Sequence, residues 1–224
     1  MKPTCTPRVK ICCIGSVEEA ALAIECGASA LGLVSAMPSG PGVISDERIR
    51  EIAATVPPAI GTFLLTSRRR VADIVEQQRF CRTNTIQLCD HLTVGTHRDL
   101  KDALPGISVV QVVHVTGPES VEEAARVALH VDAILLDSGN QKFAVKELGG
   151  TGRTHDWSLS RAIRERIRIP LFLAGGLTPE NVGQAIAEVG PYGLDVCSGV
   201  RTDGKLDGAK LKRFFGAVRN AGAQ

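Results

Sequence analysis

Two stretches in the last third of the chain decide the fold: Leu171-Phe-Leu-Ala-Gly-Gly-Leu-Thr-Pro-Glu-Asn181 and Leu194-Asp-Val-Cys-Ser-Gly-Val200. Each has the pattern of a buried strand that ends in small residues. Glycine at a strand end lets backbone N–H groups approach an anion closely, and Thr178-Pro179-Glu180 is predicted to open a helix whose positive end faces the same point. We therefore predict a phosphate-binding site formed by Gly175, Gly176, Ser198 and Gly199.

The same strand, loop and helix pattern recurs eight times along the 224 residues. Short runs rich in Val, Ile and Leu alternate with amphipathic stretches, which is typical of parallel strands buried on both faces. Loops after strands seven and eight are the usual phosphate site of an eight-stranded parallel barrel. The sequence thus predicts an α/β protein with a single-domain (β/α)8 TIM barrel over residues 1–224, in which residues 1–7 form a short N-terminal extension. A doubly wound open sheet is the structural alternative. The predicted strands are 9–13, 30–34, 60–65, 85–89, 108–115, 133–137, 170–174 and 193–197.

Composition and charge argue against several kinds of partner. The net charge is +2, and the basic residues are scattered except at Arg68-Arg69-Arg70, which we expect to face solvent. Aromatic residues make up only 4%, so base stacking is disfavoured and no nucleic-acid partner is expected. No apolar run reaches about 18 residues, and residues 1–8 are too polar for a signal peptide, so we expect no membrane partner and a cytoplasmic location. Monomer and homodimer both remain open.

The seven cysteines lack the paired CxxC spacing of a structural zinc site. An odd number of cysteines without that spacing fits reduced thiols. We predict no cofactor and no metal. The alternative is a non-catalytic or metal-binding barrel that holds a soft ion at its mouth, through Cys12, Cys13, Cys89, His91 and Cys197.

Two residues at predicted strand ends are candidates for catalysis. Cys12 ends the first strand in Lys10-Ile-Cys-Cys-Ile-Gly15, and Asp137 ends the sixth in Ile134-Leu-Leu-Asp137. A carboxylate after a buried apolar run is costly unless it faces the barrel mouth, whereas Cys12 could also be a small buried hydrophobe. A thiolate and a carboxylic acid across one mouth could exchange protons with two atoms of a small ligand, as in an isomerase. Asp195 also interrupts an apolar strand, where a paired structural role is an equal alternative.

Motifs along the whole chain resemble the phosphoribosylanthranilate isomerase family. The resemblance implies an aldose-ketose isomerase of tryptophan biosynthesis, which carries out the Amadori rearrangement of N-(5-phosphoribosyl)anthranilate, a small phosphorylated sugar substrate, without a cofactor. It also implies that Cys12 is the general base and Asp137 the general acid, and it adds Gly150 and Arg153 to the predicted binding residues. The motifs, in family order, are Lys10-Ile-Cys12, Ala28-Ser-Ala-Leu-Gly-Leu33, Ile86-Gln-Leu88, Leu135-Leu-Asp137, Gly149-Gly-Thr-Gly-Arg-Thr154, Asp156-Trp-Ser158, Ala174-Gly-Gly-Leu-Thr-Pro-Glu-Asn181 and Asp195-Val-Cys-Ser-Gly-Val200.

The chain departs from the family pattern away from the phosphate loops. Cys13 stands where the family has glycine, and Gly42, in Pro38-Ser-Gly-Pro-Gly-Val43, stands where the family has the arginine that pairs with the anthranilate carboxylate. Cys89 and Asp90 replace a His-Gly pair. Losing a charge-assisted contact to a carboxylate typically costs about 1.5 to 3 kcal/mol. The departures therefore lie where the aglycone of the substrate is expected.

Two enzymatic hypotheses remain besides the non-catalytic one. In the first, the chain is an authentic family isomerase in which Arg153, Arg68 or His91 replaces the missing arginine. In the second, it is a diverged barrel enzyme that acts on another phosphorylated sugar conjugate.

Overall fold

The computed structural model describes residues 6–138 and 154–222, and eight parallel strands within them close into a barrel in chain order. The ring closes where the first strand pairs with the last, with Ile11 beside Val196. The predicted TIM barrel is therefore confirmed, and the open sheet is excluded. The strands are β1 (Arg8–Ile11), β2 (Ala30–Val34), β3 (Gly61–Thr66), β4 (Thr85–Leu88), β5 (Ser108–His114), β6 (Ala133–Asp137), β7 (Leu171–Leu173) and β8 (Gly193–Val196).

Helices surround the barrel, and polar caps define where several of them begin. The Ser16 and Ser45 side chains accept hydrogen bonds from the first turns of the helices that begin at Val17 and Asp46, which stabilises the N-terminal ends of these helices. After β8, a 3₁₀ turn (Ser198–Val200) leads into a short hairpin of β9 (Arg201–Thr202) and β10 (Lys205–Leu206). The helices are α1 (Val17–Cys26), α2 (Asp46–Thr55), α3 (Val71–Cys81), α4 (His97–Ala103), α5 (Glu119–Val127), α6 (Trp157–Arg166), α7 (Val182–Val189) and α8 (Gly208–Gly222).

The helix predicted to open at Thr178 begins later than expected. It is α7, and its first residue is Val182. Residues 178–181 instead form a turn, in which the Asn181 carboxamide accepts a hydrogen bond from the Thr178 N–H at 2.8 Å and donates one to the Gly176 carbonyl at 2.9 Å. The Asn181 side chain therefore braces the glycine loop after β7. The regular part of α7 starts one turn later than predicted, although Thr178 caps the turn before it: its side chain accepts from the Glu180 N–H at 3.2 Å and its carbonyl from the Val182 N–H at 3.0 Å.

Side chains of the barrel strands form two separate layers because successive residues of a strand point to opposite faces. One layer packs against the helices, where Ile11 and Leu136, for example, are fully buried. The other fills the barrel interior and includes Phe63, Leu135 and Phe172. Cys12 belongs to the interior layer, which places its side chain on the axis side of β1.

Among the described residues, no helix is long and apolar enough to cross a membrane.

Candidate active site

A cavity opens at the C-terminal ends of the strands, the face that carries chemistry in this fold. It encloses about 680 Å³ of space, including the solvent at its mouth. The loops after β1, β2, β7 and β8 supply most of its wall. The polar and small residues that line it include Cys12, Cys13, Gly40, Gln87, Cys89, Asp137, Gly175, Gly176, Asp195, Cys197 and Ser198.

Cys12 and Asp137 both line this cavity, three strands apart around the barrel. Cys12 is held in place by its backbone N–H, which donates to the Val196 carbonyl at 2.9 Å. Asp137 is 8% exposed, and its carboxylate accepts a hydrogen bond from the Ser138 N–H at 2.7 Å. Burial raises the pKa of Asp137 from 3.8 to about 6, although the Ser138 hydrogen bond opposes the rise. This carboxyl can therefore hold a proton near neutral pH.

The glycine loops after β7 and β8 form the part of the cavity wall between Asp137 and Cys12, because these strands lie between β6 and β1 in the ring. Gly175 and Gly176 adopt φ of +86° and +61°, backbone angles that suit glycine. A Cβ on Gly199 would overlap the carbonyl oxygen of Leu177, so the 3₁₀ turn can lie against the loop after β7 only because residue 199 has no side chain. Ser198, exposed at the rim, lines the cavity directly. The structure thus brings four of the predicted phosphate-binding residues together, whereas Gly150 and Arg153 lie outside the described residues.

Lys10 and Asp195 form a buried ion pair beneath the cavity, and the sequence alone did not predict this pairing. Lys10 Nζ lies 2.9 Å from Asp195 Oδ1, and the two side chains are 0% and 7% exposed. The Asp195 carboxylate keeps the pKa of Lys10 above its usual value despite the opposing effect of burial. A Cβ on Gly32 would lie 2.9 Å from both Lys10 Nζ and Cys12 Sγ. A lysine in an inward-facing strand position was the signal in the sequence.

Cys13 and Gly42 are in direct contact, which explains two departures from the family pattern together. Cys13 has φ of +62°, a left-handed angle that favours glycine, and its Sγ contacts the Pro41 carbonyl at 3.6 Å. Gly42 has φ of +76°, and a Cβ on it would overlap the Cβ of Cys13. A side chain at residue 42 is therefore incompatible with the cysteine at residue 13 in this backbone.

The two described candidates for a substitute cation lie away from the cavity. Arg68 donates to the Asp73 carbonyl at 3.0 Å and to the Asp46 carboxylate at 3.4 Å. His91 faces Glu123 at 3.5 Å. Neither residue lines the cavity, whose charged lining within residues 6–138 and 154–222 consists of Asp137 and Asp195. Arg68 and His91 therefore do not occupy the role that the first hypothesis gave them.

The replacements after β4 have different surroundings. Cys89 lines the cavity and is 1% exposed, and burial raises the pKa of its thiol. Asp90 is buried and pairs with Arg69 at 3.5 Å, so its charge is directed away from the cavity. Within the parts of the chain that the structure describes, no group of three or more His, Cys, Asp or Glu side chains is arranged to hold a metal ion.

The closed barrel, with an acid and a thiol facing a cavity at its C-terminal face, is a (β/α)8-barrel enzyme. A family model described as N-(5'-phosphoribosyl)anthranilate (PRA) isomerase matches residues 9–217. The chain belongs to this family, and it is an isomerase.

Known relatives match nearly the whole chain. N-(5'-phosphoribosyl)anthranilate isomerase 2 of Methanosarcina mazei is 35% identical over 95% of this chain and 94% of its own length. A crystal structure of monomers generated from the dimeric enzyme of Thermotoga maritima has a TM-score of 0.78 at 31% identity, covering 96% of this chain and 99% of that one. A phosphoribosylanthranilate isomerase in complex with reduced 1-(o-carboxyphenylamino)-1-deoxyribulose 5-phosphate has a TM-score of 0.77 at 32% identity, with the same coverage.

Proposed function

We propose that this protein converts N-(5'-phosphoribosyl)anthranilate into 1-(2-carboxyphenylamino)-1-deoxyribulose 5-phosphate, a step of tryptophan biosynthesis. The observation that carries the proposal is the placement of Cys12 and Asp137 in one cavity whose wall between them is formed by the glycine loops. Family membership supports it, and so does the similar structure in complex with a reduced form of this product. The small phosphorylated sugar is the only partner that the proposed chemistry needs.

Asp137 acts as the general acid in the first half of the proposed reaction. It protonates the ribose ring oxygen while the C1–O bond breaks, and the anthranilate nitrogen then forms a Schiff base with C1. A pKa of about 6 leaves about a tenth of the Asp137 carboxyls protonated at pH 7, a larger fraction than an ordinary aspartate provides. Burial thus makes this carboxyl usable as an acid near neutral pH.

Cys12 acts as the general base in the second half. Its thiolate removes the proton from C2 of the Schiff base, and the electron pair left on C2 forms the enolamine. The enolamine becomes the 2-ketone when C1 takes up a proton and the C2 hydroxyl gives one up. The Lys10 ammonium lies close to the Cys12 thiol, since a Cβ on Gly32 would be 2.9 Å from both groups.

The glycine loops bind the phosphate in this proposal. Gly175, Gly176 and Ser198 line the cavity, and Gly199 lets the 3₁₀ turn lie close to the loop after β7. Backbone N–H groups in such loops are suited to an anion with several oxygens. Gly150 and Arg153 are proposed to contribute on the basis of the family pattern.

Steady-state kinetics with the purified enzyme tests the function. We expect turnover of N-(5'-phosphoribosyl)anthranilate by the wild type and a loss of about 10²- to 10⁴-fold in kcat for Cys12→Ala and for Asp137→Asn. Cys26→Ala is the matched control, because Cys26 lies on α1 outside the cavity. A wild type without turnover would reject the substrate, and two variants with the wild-type rate would reject the catalytic roles.

A second candidate is isomerisation of another phosphorylated sugar conjugate. It is favoured by the absence of a Lys, Arg or His side chain from the described cavity lining, and by Gly42, at which a side chain would overlap Cys13. A carboxylated aryl group would therefore meet no cation among the lining residues that the structure describes. Thermal stabilisation by ribose 5-phosphate that exceeds stabilisation by reduced carboxyphenylamino-deoxyribulose phosphate would favour this candidate, and the opposite order would remove it.

A further inference from the structure

Three thiols meet at the junction of the first and last strands. β1 and β8 are neighbours in the barrel, with Ile11 beside Val196, so Cys12 and Cys197 follow paired positions. Cys13 and Cys197 also line a second opening together, beside Arg201. All three residues line the cavity. The proposed reaction uses the Cys12 thiol and gives no role to the thiols of Cys13 and Cys197.

The backbone directs the Cys13 side chain toward the other two thiols. Its left-handed φ of +62° is unusual for a residue with a Cβ, and Gly42 packs against it with no side chain of its own. Sγ of Cys13 is 3.6 Å from the Pro41 carbonyl. The neighbouring Cys12 and Cys197 thiols, together with burial, raise the pKa of Cys13, which keeps this thiol protonated.

Cys197 has the surroundings of a reactive thiol. It is partly exposed, and it lines both the main cavity and a second opening beside Arg201 and Gly204. The neighbouring Cys13 thiol lowers the pKa of Cys197 despite its burial, and the positive charge of Arg201 contributes. Arg201 is fixed by the Glu19 carboxylate at 2.9 and 3.1 Å. A thiolate that solvent can reach, with a cation and a second thiol beside it, is the arrangement that reacts selectively with peroxides.

We propose that Cys197 and Cys13 are a peroxide-reactive thiol pair that oxidises reversibly to a disulfide. The Cys197 thiolate attacks one oxygen of hydrogen peroxide; the O–O bond breaks, hydroxide leaves, and Cys197 becomes a sulfenic acid. The sulfur of Cys13 then attacks the sulfenic sulfur, which forms the S–S bond, and the Cys13 proton and the displaced hydroxide leave as water. The two thiols lose two electrons in total, and one peroxide is reduced to two waters.

The cross-link has a direct consequence for the cavity. It joins the residue after Cys12 to the residue before Ser198, so it ties the end of β1 to the loop that follows β8. The cavity wall is narrowed at this point, and the isomerase loses turnover until a dithiol reduces the bond. Formation of the cross-link itself does not depend on the proposed substrate or on the roles of Cys12 and Asp137.

Peptide mass mapping of the full-length enzyme after hydrogen peroxide treatment tests the proposal. Trypsin releases Cys13 in the peptide 11–48 and Cys197 in the peptide 169–201, because neither stretch contains an internal Lys or Arg. We expect these two peptides to be joined in most of the peroxide-treated protein and to separate after dithiothreitol. Fragmentation of the joined peptides assigns the bond to Cys13.

Three variants make the test specific. Cys13→Gly fits the left-handed backbone, so it is expected to fold and to lose the cross-link. Cys197→Ser should also lose it, whereas Cys26→Ser, which removes one of the two other cysteines of peptide 11–48, should keep it. Unlinked peptides in the peroxide-treated wild type would overturn the proposal, as would a cross-link that persists in Cys13→Gly through Cys12. A cross-linked protein with unchanged turnover of the substrate would overturn the proposed effect on the cavity.

Discussion

The two walls of the cavity are built in different ways. The wall after β7 and β8 consists of backbone, since Gly175 and Gly176 adopt left-handed angles and a Cβ on Gly199 would overlap its neighbour. The wall formed by the loops after β1 and β2 consists of side chains in contact, such as Cys13 against the Gly42 loop. A wall of backbone tolerates few substitutions, whereas a wall of side chains can change in compensating pairs.

This difference accounts for where the chain departs from its family. The residues that bind phosphate in the proposed function keep the family pattern, because a side chain at Gly199 would meet the Leu177 backbone and Gly175 and Gly176 have positive φ. Cys13 and Gly42 change together, since each limits what the other can be. Specificity for the aglycone is therefore expected to reside in the wall that can change without disturbing the phosphate loops.

Gly199→Ala is the substitution that should disturb the backbone wall most. The added methyl group overlaps the Leu177 carbonyl, so one of the two loops has to move, at a cost of about 3 kcal/mol in unfolding free energy and with a higher KM. Chemical denaturation and steady-state kinetics measure the two effects. Gly216→Ala is the control, because this glycine lies inside α8 with open space around it, and alanine there should stabilise the helix by about 0.5 to 1 kcal/mol. If Gly199→Ala and Gly216→Ala had equal effects on the unfolding free energy and on KM, the close approach of the Leu177 carbonyl to Gly199 would be unimportant.

Asp137→Asn should separate stability from activity. Because folding raises the pKa of Asp137 from 3.8 to about 6, the protonated carboxyl favours the fold; this contribution is complete below about pH 4 and is lost as the pH rises through 6. Asparagine removes the ionisation, so the variant should gain at most about 3 kcal/mol over the wild type at about pH 8 and nothing below about pH 4. Denaturation curves across this pH range measure the difference.

The exposed carboxylate of Asp102 provides the comparison for that experiment. Its side chain is 72% exposed on α4, so Asp102→Asn should change stability by less than about 0.5 kcal/mol, with little dependence on pH. If Asp137→Asn shows the same flat profile, then Asp137 does not hold a raised pKa in solution.

The pairing of Cys13 and Gly42 predicts a smaller, non-additive effect in the side-chain wall. Gly42→Ala should be destabilising in the wild type because of the overlap with Cys13, and less so in a Cys13→Gly background, with a coupling of about 1 to 3 kcal/mol. A double-mutant cycle by denaturation measures this coupling. Gly106→Ala reports the cost of a positive φ alone, since Gly106 has φ of +85° and open space around it. If Gly42→Ala and Cys13→Gly had additive effects on the unfolding free energy, the contact between residues 13 and 42 would be contradicted.

Much of the barrel was readable from the sequence because local signals and burial agree. The predicted strands 30–34 and 133–137 have the observed bounds. The first strand was predicted to reach residue 13 but ends at Ile11. The cause is the left-handed backbone conformation of Cys13, which an apolar side chain does not predict. The start of α7 was misplaced because the Asn181 side chain holds the preceding residues in a turn.

Part of the site could be predicted in the same way. Cys12, Asp137 and the glycines of the β7 and β8 loops follow apolar strands, so their place at the cavity could be predicted from position alone. The Lys10–Asp195 pair could not be, because its members come from opposite ends of the chain and meet only when β1 closes the barrel on β8.

By itself, the sequence determined the barrel, its active face, the acid and the thiol at the strand ends, and the family. These follow from the period of apolar residues and from glycines at strand ends, which are local properties of the chain. The tertiary structure alone decided that Lys10 lies beneath Cys12, that Cys13 leaves no room for a side chain at residue 42, and that Cys13 and Cys197 line one opening beside Arg201. Those contacts join residues distant in the chain, and they exist only once eight strands close into a ring.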